Sequence, residues 1–105
     1  MNWEVEKTVG QYRLGLTIGS GTFGSVKCGI HTGTGGKVAI KSLEKGRIAD
    51  ISDVERVSRE IHIMKQLGHP HIVRLYEIVE TPRHIHLILE YAAGMNIEKF
   101  GFIYL

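Results

Sequence analysis

The alternation of apolar and polar positions divides the chain into two regimes. Tyr12, Leu14, Leu16 and Ile18 alternate with Arg13, Gly15 and Thr17, the period of a strand with those four side chains on one face. Val26, Cys28 and Ile30 repeat the pattern, and "HTGTGG" then turns the chain. In "KVAIKSL", Val38 and Ile40 face one way, Ala39 and Lys41 the other. Short connections make these three strands an antiparallel meander.

From Ser52 the period lengthens. Val54, Val57, Ile61, Met64 and Leu67 recur at three- and four-residue steps, the apolar stripe of a helix. Ser52 with Glu55 predicts a capping box, and Gly68 followed by Pro70 a stop. "HIVRLYEIVE" and "HIHLILEYA" read as two more strands joined at "TPR". The expected fold is therefore α+β, a five-stranded antiparallel sheet carrying one long helix.

Composition narrows the class. The chain has 105 residues, 43% of them hydrophobic and 23% charged, which suits one small domain with a thin core. A net charge of +2, with the basic residues scattered, argues against a nucleic-acid partner. There is no apolar run long enough to span a bilayer and the polar N-terminus lacks a secretory h-region, so no membrane partner is expected. Cys28 is the single cysteine, which suits a reducing compartment and a cytoplasmic (or nuclear) location. On the second strand it reads as a small apolar filler.

The chemistry concentrates in "IGSGTFGSV". Nine of the thirteen glycines fall between Gly10 and Gly36, and Gly19, Gly21 and Gly24 are spaced G-x-G-x-x-G. Glycines let backbone N–H groups approach phosphate oxygens closely. In a dinucleotide fingerprint the third glycine opens a helix. Here Gly24 is followed by alternating, glycine-rich sequence, so a strand–loop–strand flap is expected instead. Lys41 lies seventeen residues beyond Gly24 on a mostly apolar strand. A buried ammonium needs an anionic partner. Glu60 shares a helix stripe with Val57 and Met64 and is the candidate.

Of the six histidines, His84 and His86 share a strand face and His69 and His71 flank Pro70. Neither pair has further ligands at metal spacing, so no metal site is expected.

On these motifs the chain resembles the N-terminal lobe of a eukaryotic serine/threonine protein kinase. Within that family it is most similar to the AMP-activated and sucrose-nonfermenting-type kinases. Gly19, Gly21, Gly24 and Val26 match the glycine-rich loop, Lys41 in "VAIK" the phosphate-contacting lysine, and Glu60 in "SREIHIM" its glutamate partner. "HPHIVRLYEIVET" and "HLILEYAAG" resemble the fourth and fifth strands running into the hinge. The resemblance covers residues 12–94, leaving 1–11 as an N-terminal extension and 95–105 as a divergent tail.

It implies ATP as cofactor and partner, with Ser20, Thr22 and Phe23 in a flap over the phosphates and Phe23 at its tip. Ile18, Val26 and Ala39 would roof the adenine, with Leu89 as gatekeeper. The Glu90 carbonyl and the Ala92 amide would meet the adenine edge. Met64 and Leu75 would join an apolar spine between helix and sheet.

Lys41 and Glu60 are the catalytic candidates. The His-Arg-Asp loop and the Asp-Phe-Gly metal ligand of such kinases do not occur in these 105 residues. Mg²⁺ would therefore enter only with the nucleotide, ATP would bind weakly, and this truncated chain alone would be inactive. The alternative reading is a non-catalytic interaction module, a decoy that binds a kinase regulatory subunit or partner protein.

Overall fold

The computed structural model describes residues 8–65 and 74–91, with the backbone alone at 60 and 63–65. Six strands form one antiparallel sheet: β1 (Thr8–Val9), β2 (Tyr12–Ser20), β3 (Gly24–His31), β4 (Lys37–Glu44), β5 (Leu75–Glu80) and β6 (His84–Glu90). The sheet order is β1-β2-β3-β4-β6-β5. A single helical turn, Lys45–Arg47, links β4 to the helix α1 (Ile51–Lys65).

The α+β class stands, with one strand more than the five expected. The addition is the two-residue β1, paired Thr8 to Arg13 and Val9 to Tyr12. Its turn is Gly10-Gln11, with Gly10 at φ 55° and, among the described residues, no non-glycine residue at positive φ. Glycine at the first central position of a two-residue hairpin suits a type II′ turn, whose twist matches the strands.

Helix α1 begins earlier than the capping box at Ser52 and Glu55 would have it. The Asp50 side chain accepts from the Asp53 N–H at 2.9 Å, and the Asp53 carboxylate accepts from the Ala49 N–H at 2.9 Å. Asp50 is the N-cap, with Asp53 closing the reciprocal bond. A carboxylate placed one residue before Ile51 satisfies the free amides directly, so Ser52 falls inside the helix. Val57 is buried and Ile61 packs against the core, whereas Val54 is 52% exposed. The Gly68–Pro70 stop lies outside the described residues.

Directly paired residues of an antiparallel sheet share a face. The pairs Val26–Lys41, Cys28–Ala39, Ala39–Leu89, Lys41–Leu87 and Leu43–Ile85 therefore define one face, and α1 packs on it. Phe23, Val26, Ala39, Leu43, Val57, Leu87 and Leu89 form its buried cluster. The other face carries Lys27–Ile40, Ser42–His86, Glu44–His84 and Ile40–Ile88, and its buried cluster is Tyr12, Val38, Ile40 and Ile88.

This second face is concave. Strands β2 and β5 are separated by three strands in the sheet, yet the Tyr12 hydroxyl donates to Glu77 Oε2 at 2.5 Å. A methyl on Gly10 would come within 3.7 Å of Val79. The sheet curls until its two margins touch. Burial and the Glu77 carboxylate push the Tyr12 hydroxyl up to about 12.

Strand β2 departs from simple alternation. Pairing with β3 shifts between Leu14 and Thr17 and again between Thr17 and Gly19. Tyr12 and Leu14 accordingly pack in the concave cluster, Ile18 packs on the helix face, and Leu16 is 80% exposed. The four apolar residues of "YRLGLTI" do not share one face, because bulges rephase the strand.

Candidate nucleotide-binding site

The glycine-rich segment joins β2 to β3. The Gly21 N–H donates to the Gly24 carbonyl at 2.7 Å, closing the tip as a tight turn. The Glu44 N–H donates to the Phe23 carbonyl at 2.8 Å, which pins the loop to the end of β4. At Gly24 a methyl would overlap the Ser42 carbonyl oxygen and sit 2.8 Å from its carbon. This glycine is required by the close approach of strand to strand.

Ser20 and Thr22 are exposed, and Gly19 and Gly21 are half-buried. Phe23 does not project from the tip. It is 2% exposed, packed in the cluster beneath the helix, and the Arg56 guanidinium of α1 lies 5.5 Å from its ring centroid. The sequence pattern missed Arg56, because an exposed helical arginine looks solvated until the loop is folded against it.

Below the loop, Val26 and Ala39 are buried side by side on β3 and β4, flanked by Ile18. Lys41 lies opposite Val26 and Leu87 on the same face and is 3% exposed. An ammonium so buried survives only when its protons are satisfied. Among the described residues no buried side-chain nitrogen or oxygen lacks a partner, and Lys41 is engaged. Glu60 lies on α1 between Val57 and Ile61, both of which meet this face, but its side chain is outside the described residues.

Leu89 is fully buried opposite Ala39 and Leu75. Leu75 packs on the helix-face cluster. The Glu90 N–H donates to the Arg74 carbonyl at 2.8 Å, fixing the start of the segment after β6. Ala92 lies outside the described residues, as does the Met64 side chain. Cys28, Lys37 and Tyr91 line a cavity of about 140 Å³ at this end of the face. Among the described residues no group of histidine, cysteine or carboxylate side chains could hold a metal ion.

A glycine hairpin over one face of a curled sheet, with a buried lysine on the third long strand and a helix packed behind it, has the architecture of a protein kinase N-terminal lobe. The protein kinase domain family matches residues 12–101, and the chain belongs to that family. It is similar to CBL-interacting serine/threonine-protein kinase 26 of Arabidopsis thaliana, 41% identical over 91 residues, 87% of this chain and 21% of the relative. Sucrose non-fermenting protein kinase 1 of Fusarium virguliforme is 41% identical over 100 residues, 95% of this chain and 14% of the relative. SNF1-related protein kinase catalytic subunit alpha KIN12 of Arabidopsis thaliana is 48% identical over 80 residues, 76% of this chain and 16% of the relative. The likeness is to an SNF1-type serine/threonine kinase N-lobe. The chain spans between 14% and 21% of the length of these relatives.

Proposed function

We propose that this chain is the ATP-binding lobe of a cytoplasmic serine/threonine kinase, whose whole reaction transfers the ATP γ-phosphoryl group to a protein hydroxyl. The observation that carries the reading is Lys41, a cation 3% exposed on the same face as Val26 and Ala39 and one strand away from the glycine hairpin. Glu60 would hold that ammonium charged and oriented. Lys41 would then neutralise phosphate oxygens while amides of Gly19–Gly24 bond them. Ile18, Val26, Ala39 and Leu89 would enclose the base, and the backbone of Glu90 and Ala92 would read its edge.

Phosphoryl transfer also needs ligands for Mg²⁺ and a base to receive the hydroxyl proton. The 105 residues contain neither the His-Arg-Asp nor the Asp-Phe-Gly string, so the chain by itself binds nucleotide weakly and does not turn it over. The names of some relatives say that those proteins are CBL-interacting. A regulatory subunit is the class of protein partner to seek here.

Titrating the 105-residue chain with Mg·ATP and following backbone amide resonances tests the proposal. Shifts should concentrate at Ile18–Val26, Ala39, Lys41 and Leu89–Tyr91, with half-saturation near millimolar, roughly 4 kcal/mol of binding. Lys41→Met should reduce ATP to the affinity of adenosine with the lobe still folded. Micromolar binding, or ATP binding indifferent to Lys41→Met, refutes this assignment. Transfer of phosphate to a peptide by the chain alone refutes the predicted inactivity.

A further inference from the structure

The turn "HTGTGG" between β3 and β4 is organised around one side chain. His31 Nδ1 accepts from the Gly33 N–H and from the Thr34 N–H, each at 3.1 Å. A Cβ on Gly33 would lie 3.0 Å from His31 Cε1, so the ring is seated directly on the turn. Nε2 of the same ring lies 3.1 Å from Gln11 Oε1. Two amides aimed at one nitrogen require it to be an acceptor. The ring is therefore neutral, and its single proton sits on Nε2, where it donates to Gln11. One imidazole thus ties the β3–β4 turn to the β1–β2 turn.

Other bonds hold the same turn without the imidazole. The Thr32 N–H donates to the Gln11 carbonyl at 2.8 Å, and the Thr32 hydroxyl donates to that oxygen at 3.1 Å. The Gly35 N–H donates to the His31 carbonyl at 2.8 Å. The two bonds to Nδ1 are a second layer on a turn that stays attached when they are gone.

We propose that His31 is a proton-operated latch. Neutral, it clamps the β3–β4 turn; protonated on Nδ1, it releases the Gly33 and Thr34 amides and opens one side of the turn. His31 closes the end of β3 opposite Gly24, so the latch is independent of the nucleotide assignment.

The ring's surroundings leave that response to the imidazole itself. Tyr12 of β2 is the titratable side chain in contact with it, 5.2 Å between centroids with 80° between planes. Glu77 of β5 lies beyond, on the Tyr12 hydroxyl. Glu90 of β6 shares a face with Val38 and accepts from the Arg74 N–H at 3.4 Å. Lys27 is four residues away along β3, and Arg13 and Lys37 pair with Ile30, on the opposite face. Thr32–Gly36 are exposed, so the proton arrives from water. On Nδ1 it faces two amide hydrogens and both bonds are lost, while Nε2 keeps its proton and its bond to Gln11. Those two bonds belong to the neutral ring. They are complete at alkaline pH and lost as pH falls through the range where histidine takes up a proton, about 8 to 5.

The 105-residue chain is followed by NMR from about pH 8 to about pH 5. At the upper limit the His31 nitrogens should show the Nε2–H tautomer. On acidification the Gly33 and Thr34 amide resonances should move along one curve, with the midpoint of the His31 ring, and the Tyr12 ring resonances should follow it. Protection of the two amides, corrected for the intrinsic pH dependence of exchange, should fall about three- to tenfold, the weight of one net hydrogen bond each. The Thr32 and Gly35 amides, whose acceptors are carbonyls, should keep theirs.

His31→Asn supplies a carboxamide oxygen that accepts from nearby amides and does not titrate. In that variant Gly33 and Thr34 should stay protected and flat with pH. Gln11→Ala spares Nδ1 and should leave both amides titrating. An Nδ1–H tautomer near pH 8, amides indifferent to the His31 midpoint, or the same titration surviving in His31→Asn overturns the proposal. Should His31→Asn fail to fold, the tautomer and the shared midpoint in the parent chain still decide it.

Discussion

A single methyl group added at Gly24 separates what the glycine loop owes to a ligand from what it owes to the fold. The new Cβ would overlap the Ser42 carbonyl oxygen and lie 3.3 Å from Leu43 Cα. These are backbone atoms of β4, so no rotamer change relieves the clash and the two strands must part. Overpacking of this kind costs about 1–3 kcal/mol. Parting also loosens the 2.8 Å bond from the Glu44 N–H to the Phe23 carbonyl, worth about 0.5–1.5 kcal/mol. Together Gly24→Ala should destabilise by about 2–4 kcal/mol, a large share of a small domain's stability.

Two other glycines serve as internal standards. Gly35 has open space around it but φ 76°, so Gly35→Ala should cost about 1–2 kcal/mol from backbone strain alone. Gly46 has neither a neighbour within 4 Å nor a positive φ, so Gly46→Ala should gain about 0.4–1 kcal/mol by restricting the unfolded chain. Urea unfolding followed by circular dichroism ranks the three. With a slope of roughly 1–3 kcal/mol per molar, the Gly24→Ala midpoint should fall by about 0.7–4 M. A Gly24→Ala protein within about 0.5 kcal/mol of the parent refutes the packing argument and returns this glycine entirely to ligand binding.

Other consequences are open to direct measurement. Phe23→Ala should cost about 3–5 kcal/mol because the ring is core, whereas Arg56→Ala should cost about 1 kcal/mol or less through the cation–π contact; equal melting-temperature losses would contradict the buried position of Phe23. Tyr12→Phe removes the hydroxyl that joins the sheet margins through Glu77 and should cost about 1–2 kcal/mol. In the parent, Tyr12 is raised to about 12 from 10.0. Its contribution is therefore complete below pH 10 and is lost as pH climbs from 10 toward 12, since the unfolded chain gives up the proton first. Stability of Tyr12→Phe should be flatter than the parent across that window, and parallel pH curves would dissociate the hydroxyl from the closure.

The legible parts of the fold were those with a strict period. On β4 the alternation of Val38 and Ile40 against Ala39 and Lys41 holds residue for residue, because both faces of that central strand are covered and a slip of one place would bury the wrong set. On β2 the same reasoning failed after Leu14, where pairing shifts twice. Apolar spacing cannot announce a bulge, although Gly15 and Gly19 mark where one is tolerated. The helix start was misplaced for a different cause: Asp50 and Ser52 are both good caps, and only the hydrogen bonds from Asp53 and Ala49 choose between them. Lys41 and the glycines could be read as a site because rare residue types recur at fixed spacing. The contact of His86 with Ser42 could not be read, since the two lie on neighbouring strands forty-four residues apart.

The closure through Tyr12 and Glu77 also explains how so thin a lobe can support two different faces. A flat six-stranded sheet would cover one face with α1 and leave the other wet. Curling brings Val79 of β5 against the cluster of Tyr12, Val38, Ile40 and Ile88, so the concave side becomes a core of its own. Where that core gives way toward Ser25, Ser42 and the histidine pair, the face becomes polar. Substitutions on either face should then separate cleanly. Changes at Lys41 should alter ATP shifts and spare the Tyr12 hydroxyl's titration, while Tyr12→Phe should remove that titration and spare the ATP shifts. Loss of both responses from either single change would mean that the sheet transmits the disturbance through its strands.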